Sequence, residues 1–354
     1  MRYSMYAVRA LVCLVLLGSA RPALSQKILI NLGTVAPEGS IWHEILLDVR
    51  QQWEQISGGE VTLRIYPSGI QGDESEMLRK VRIGQLHAVA LSGAGLSRID
   101  SSVSCLQVPM LIETYEELDY VVERVTPTLE KKLAEKGFVV LHWGDVGWVH
   151  FFTKKPARTL DDIREMKLFT SAGDPETEKL YKEFGFRPVP LALTDLLPSL
   201  QTGMIDAIDV PPLFALLQQT FALASHMTPV KWAPLTAATV ISERAWQGIP
   251  AAWREEMILA ARAAAEKRRD EIRRMGERAI DEMQRRGLKV VELDEAALVS
   301  WHREAEQAYP RLRGTMVPED LFDQVTRLSS EFKKRRGTAD QVNGVERDPA
   351  RTRP

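Results

Sequence analysis

From Thr159 to Pro212 the chain reads strand, helix, strand, helix, strand, with a start or stop signal at nearly every boundary. Asp174 followed by Pro175 is a helix N-cap with proline at the first helical position. Gly185 and Gly203 close the two helices. Alternation of this kind and these lengths demands a mainly parallel sheet with helices on both faces. In such a sheet the strand ends present side chains to a ligand. Two of those ends carry Phe169 and Val210, where polar anchors are expected.

The same alternation starts earlier. Ile28-Leu29-Ile30 is a continuous apolar run, as a strand covered on both faces requires. A helix follows with Trp42, Ile45, Leu46, Val49, Trp53 and Ile56 on one face, and Ser57-Gly58-Gly59 ends it. Trp42 and Trp53 are read as core. Val61, Leu63 and Ile65 alternate as a strand. Asp73 with Glu76 caps a helix that stops at Gly84, and Leu86 to Leu91 is a strand opening into the loop Ser92-Gly93-Ala94-Gly95. Thr114 with Glu117 caps a helix that runs to Gly137. Phe138 to Trp143 and Trp148 to Thr153 are two further strands.

One very long helix is expected from Pro250 to about Arg286, roughly 50 Å in length. Its apolar stripe is Trp253, Met257, Ala260, Ala264, Ile272, Met275, Ala279 and Met283, interrupted by Arg268. A helix longer than one small domain lies across two. A dimeric coiled coil is the alternative, although the stripe is not a strict heptad. After a strand at Lys289–Leu293 and two more helices, the polar tail 334–354 reads as disordered.

The 354 residues, 45% hydrophobic, suffice for two cored domains. Arg2 and Arg9 border the apolar run Ala10–Leu17, and small residues precede a cut after Ser25, so 1–25 reads as a signal peptide. The run is too short to span a bilayer. Arg2, Arg9 and Arg21 would leave with no acid among them, making the mature chain more acidic than the −2 of the full sequence. Such a chain has no global attraction for nucleic acid. Cys105 would then be the sole cysteine, and its flanks Val103 and Leu106 mark a buried thiol rather than a nucleophile.

No enzyme motif stands out: there is no G-x-S-x-G elbow, no G-x-x-x-x-G-K-S/T loop and no G-x-G-x-x-G after a strand. Trp42-His43-Glu44 begins like a zincin helix but lacks the second histidine. His142, Asp145 and His150 could converge on a metal, though their spacing is not diagnostic. Asp206 and Asp209 sit at odd spacing along a strand and face opposite sides, a poor acid/base pair. No cofactor is implied.

Several motifs in one order carry a family resemblance: Gly33-Thr34-Val35-Ala36-Pro37, Tyr66-Pro67-Ser68-Gly69, Gly72-Asp73-Glu74, Thr159-Leu160-Asp161-Asp162, Pro188-Val189-Pro190 and Gln201-Thr202-Gly203-Met204-Ile205-Asp206. The chain resembles the DctP-type solute-binding proteins of TRAP (tripartite ATP-independent periplasmic) transporters from about Lys27 to Phe332. The resemblance implies a two-domain, clam-like periplasmic binding protein of α/β type II architecture, with the long helix shared. It implies 27–146 plus about 233–265 for domain I, and 147–232 plus about 266–333 for domain II. It also implies a receptor in the periplasm, not an enzyme, whose partners are a small molecule and the membrane permease subunits.

Where the family holds a carboxylate with arginine, this chain has Phe169, and Val149 stands at a second frequent arginine. The family's Q-E-N-P is Ile208-Asp209-Val210-Pro211 here. Two lost arginine–carboxylate contacts would remove roughly 3–6 kcal/mol. The ligand site is therefore expected at Trp148, Val149, Phe169, Val210, Val35 and Leu193, with Ser92, Glu74, His150, Asp174, Thr170 and Lys231 as polar candidates. An apolar or amphipathic solute fits that set. The alternatives are a carboxylate held by His150 or a metal, apolar residues that are ordinary strand core, and a ligand-sensing subunit of a signalling system.

Overall fold

The computed structural model describes residues 27–172 and 175–345; the expected signal peptide, Asp174 and residues 346–354 lie outside the described residues. In chain order the strands are β1 (Ile28–Thr34), β2 (Val61–Tyr66), β3 (Ala88–Ser92), β4 (Phe138–Trp148), β5 (His150–Thr153), β6 (Lys167–Ser171), β7 (Arg187–Leu191), β8 (Ala207–Val210), β9 (His226–Thr228), β10 (Pro234–Ser242) and β11 (Lys289–Val290). They form two sheets, ordered β2-β1-β3-β10-β4 and β11-β9-β5-β8-β6-β7. β1 runs parallel to β2 and β3, and β6 parallel to β7 and β8. This is the expected α/β architecture of two lobes.

The antiparallel members are β5 and β10, each opposed to both of its neighbours. They are the strands that carry the chain between sheets. β4 extends beyond the expected Phe138–Trp143 to Trp148, and β5 starts at His150, so a single extended path crosses from one sheet to the other. The return path is β9 to β10, a strand that pattern reading misses. The two paths pair where they cross: Val149 N–H donates to Ala233 O (2.8 Å), and Trp232 N–H donates to Val149 O (2.9 Å).

Local signals explain most element ends. Ser40, Asp73, Thr114 and Asp294 each accept from the backbone N–H three residues on, and Thr159 with Asp162 completes a capping box. Gly203, at φ 74°, ends the helix Leu196–Thr202 in the left-handed region that glycine tolerates. The segment expected as a loop, Ser92-Gly93-Ala94-Gly95, instead starts a short helix, Gly93–Ser97, because the Ser92 hydroxyl caps Gly95 N–H. The final helix runs from Glu319 to Val345, so helical backbone continues into the segment expected as a polar tail.

The long helix spans Ala251–Arg285 and buries Met257, Ala261, Ala264, Ala265, Ile272, Ala279 and Met283. Its buried face is turned slightly from the expected one, taking Ala261 in place of Ala260. Most of this face packs with the first lobe's helix Ile41–Ile56 and with Leu213 of the second lobe's helix Pro212–Leu217. Met283 joins the core of the second sheet. Trp53, fully buried as expected, donates its indole N–H to Met257 O (3.0 Å). Arg268, the break in the stripe, reaches Glu44 (2.8 Å) and Asp48 (3.3 Å) on the facing helix. One turn on, Arg273 binds Asp145 of β4 (2.7 Å) and both carboxylate oxygens of Asp119. Cys105 is wholly buried and its thiol is pushed up to about 12 by that burial, so it is an inert core thiol.

The Arg273–Asp145 pair is enclosed, with side chains 13% and 12% exposed. Removing one member of such a pair leaves the other charge buried and unmatched. Arg273→Met is therefore expected to cost about 3 kcal/mol of stability, whereas the exposed neighbour Arg274→Met costs under about 0.5 kcal/mol. Urea unfolding followed by circular dichroism measures both.

Candidate functional site

At the crossing of the two paths the lobes enclose a cavity of about 310 Å³. Its walls are the carboxyl ends of β1, β3, β6 and β8 together with the middle of β4 and the first half of β10. That is the position a parallel sheet offers to a ligand. Each strand end delivers a side chain because the strand stops there and the following loop turns away.

Of the residues expected at the site, Val35, Glu74, Ser92, Val149, Phe169, Leu193 and Val210 all line this cavity, as does Thr170. Trp148 and His150 do not. Successive side chains of an extended chain point to opposite sides, so three in a row cannot share one cavity, and Val149 takes the inward place. Trp148 instead packs its ring 5.5 Å from Tyr115, with Lys231 5.3 Å from its centroid on the far side. Lys231 is thereby also placed away from the cavity. His150 is buried behind the wall, and that burial lowers its pKa to about 4. It is a neutral imidazole there, not a substitute cation. Asp174 lies outside the described residues.

The structure adds residues that sequence reading left elsewhere. Trp42, read as core, lines the cavity and donates its indole N–H to Asp145 O (3.1 Å). Tyr181, Gln107 and Trp232 line it with no local signal that would have found them. His142, Asp145 and Asp209 were visible as ionisable residues, but their role was not. Among the described residues no group of three His, Cys, Asp or Glu is placed to hold a metal, so His142, Asp145 and His150 do not form one. The opposite facing of Asp206 and Asp209 holds: Asp206 lies between Lys154 (3.9 Å) and Lys167 (3.7 Å), while Asp209 lines the cavity.

Among the described residues no lysine or arginine lines the cavity, and the ionisable side chains that do are Glu74, Asp145, Asp209, His142 and Tyr181. Glu74 is 4% exposed, and its carboxylate accepts from Ser92 N–H (2.6 Å) and Ser92 O–H (2.8 Å), tying a helix start to the end of β3. Burial raises its pKa in spite of these bonds. Asp145 is matched by Arg273, yet burial outweighs the pairing and its pKa is raised as well. Asp209 is pushed up to about 7 by burial, against the bonds it accepts from its own backbone N–H and from Tyr181. His142 is held down to about 4 by burial, and its Nε2 has no hydrogen-bond partner among the described residues. Thr170 Oγ1 and Gln107 Nε2 are in the same condition.

The lobes touch across the mouth of the cavity. Arg98, just beyond the helix Gly93–Ser97, donates to Ser171 Oγ (3.1 Å) and to Ala172 O at the end of β6. Gly69, at φ 69°, lies where any Cβ would come within 2.8 Å of the Thr194 methyl group. This close approach requires glycine on two counts.

Two α/β lobes joined by crossing strands, with a cavity at the junction, define a cleft-type solute-binding protein. Residues 32–314 match the family model of bacterial extracellular solute-binding protein, family 7 (DctP), and the chain belongs to that family, the receptors of TRAP transporters. It is 25% identical over 246 residues to the 2,3-diketo-L-gulonate-binding periplasmic protein YiaO of Escherichia coli, covering 68% of this chain and 74% of that one. The fold is also that of the sugar acid binding protein DctPAm of Advenella mimigardefordensis in complex with galactonate (TM-score 0.80, 16% identity, 86% and 99% coverage). A TRAP periplasmic solute binding protein of Sulfurospirillum deleyianum with bound succinate is similar too (TM-score 0.78, 20% identity, 85% and 98% coverage).

His142 and His150 both have folded pKa values near 4, below the unfolded value of 6.5. The unfolded chain binds protons where the folded one does not, so the stability they carry is present above about pH 6.5 and is lost as pH falls toward 4. Asp209, lifted from 3.8 to about 7, works in the opposite sense across the whole of that range. Relative to the parent, His142→Gln is expected to lose less stability on acidification from pH 6.5 to 4, as thermal unfolding measures. An unchanged pH slope in that variant would refute the assignment.

Proposed function

We propose that the protein is a periplasmic receptor that captures an apolar or amphipathic small molecule between its lobes and passes it to a TRAP permease. One observation carries the ligand class: the cavity is walled mainly by apolar side chains and no lysine or arginine among the described residues lines it. The galactonate and succinate complexes are of relatives; in this chain Phe169 and Val149 stand where the family resemblance implies arginines. A carboxylate entering here would shed its water without gaining a cation, at a cost of several kcal/mol. Val35, Val149, Phe169, Leu193 and Val210 are proposed as the ligand's apolar contacts, with Thr170 as a polar one. Binding rather than turnover is the proposed role, and the leader ending near Ser25 is the proposed route to the periplasm.

A thermal-shift panel on the mature protein tests this. Aromatic or aliphatic compounds are expected to stabilise it by about 2–3 kcal/mol at a hundredfold excess over Kd. Phe169→Ala should weaken the best of them about tenfold or more, because burying an aromatic ring is worth at least about 1.5 kcal/mol. Stabilisation by small dicarboxylates or sugar acids alone would overturn the ligand class.

A further inference from the structure

Three carboxylates border the cavity, and their circumstances differ. Asp145 is ion-paired with Arg273 on the long helix. Glu74 is occupied by the backbone and hydroxyl of Ser92. Asp209 has no lysine or arginine within ion-pairing distance among the described residues, yet it sits at the end of β8 on the wall of an apolar cavity. It accepts from the Tyr181 hydroxyl and from its own backbone N–H. Both groups are donors, and both favour the ionised acceptor form of the acid. What remains is a carboxylate facing a space without a cation.

We propose that the ligand's polar end is a protonated amine that docks on Asp209, so that the receptor takes amphipathic organic cations. This rests on the reading of the cavity as the solute site and names the chemistry of a cavity carboxylate that has no ion-pair partner among the described residues. A buried carboxylate without a counter-ion is costly, and a ligand ammonium supplies the missing partner. A ligand acid would add repulsion at the same place. Independent polar groups mark the cavity as built for a ligand with some hydrogen-bonding capacity. Thr170 is 4% exposed and His142 is 7% exposed; both line the cavity, and Thr170 Oγ1 and His142 Nε2 are without partners among the described residues. Neutral His142 can accept an N–H or O–H from a ligand in the same cavity. The apolar wall of Phe169, Val149 and Val210 covers the remainder of the molecule.

The experiment is isothermal titration of the mature protein with alkyl- and aryl-ammonium compounds, each beside its alcohol and carboxylate isosteres. 2-Phenylethylamine, 2-phenylethanol and 3-phenylpropionate make one such trio. An ammonium member is expected to bind at least about tenfold tighter than its alcohol, in line with a charge-assisted bond. Asp209→Asn should remove that preference, and Tyr181→Phe should reduce it partially. Unfolding curves confirm that Asp209→Asn folds; a variant that loses a buried charge is expected to melt no lower than the parent near pH 8. Equal or tighter binding of the alcohols, no ammonium compound exceeding its isosteres, or an ammonium affinity unchanged in Asp209→Asn would each overturn the proposal. Alcohols binding well without an ammonium advantage leave the apolar receptor standing. If only succinate-like acids bind, both readings fall.

Discussion

Everything about the cavity follows from the backbone pairing of two crossing strands at Val149 and Trp232–Ala233. β4 and β5 form one extended path from sheet to sheet, and β9 and β10 return beside it in the opposite direction. Because the paths are hydrogen-bonded where they cross, the lobes are joined by a short two-stranded ribbon rather than by free linkers. Relative motion of the lobes bends this ribbon. Val149 and Ala233 are also cavity wall. The joint and the floor of the site are therefore the same residues, and a change in the angle between lobes changes the ligand's surroundings directly.

The long helix makes a second connection with different physics. Its apolar face is thin, and alanines at 261, 264, 265 and 279 supply much of it, allowing close approach to neighbouring elements. Between these contacts it carries Arg268 and Arg273, each matched by acids on other elements. An arginine placed against partly enclosed carboxylates fixes rotation and register of the helix, which a nearly uniform alanine face does poorly. Arg273 also neutralises Asp145, a cavity residue, so the charge of the cavity depends on a helix that lies outside it. The interruption at Arg268, visible in the sequence as a flaw in a stripe, is a register device in the folded chain.

Much of the architecture was legible because it rests on local signals. Caps at Asp73 and Thr114 and stops at Gly203 and Gly185 locate helices from a few residues each. β10 escaped because a strand buried by its neighbours on both edges shows neither alternation nor turn residues that mark it. The two strands read at Phe138–Trp143 and Trp148–Thr153 are nearly one, since nothing in residues 144–147 distinguishes a loop from an extended crossing. At the site, Phe169, Val210 and Val149 were found because they replace expected polar residues. Trp148 was included by adjacency to Val149 and His150 as a substitute cation, and strand alternation turns both away from the cavity. Tyr181 and Gln107 are placed by long-range packing, and Asp145 gains its meaning from Arg273, which lies 128 positions along the chain.

The apolar substitutions and the unmatched acid are two consequences of one environment. A phenylalanine where the family resemblance implies a cation offers no attraction to an acid, and it also lowers the polarity around every group beside it. In that surrounding an isolated carboxylate is disfavoured, which is why Asp209 is lifted to about 7 although two donors hold it as an acceptor. The same low polarity strengthens any direct charge pairing formed inside it. A wall of Phe169, Val149 and Val210 thus weakens the case for a ligand acid and at the same time sharpens the response of Asp209 to whatever group faces it. Under the proposed reading, selectivity in such a cavity would come less from the number of polar contacts than from the sign of the charge on Asp209.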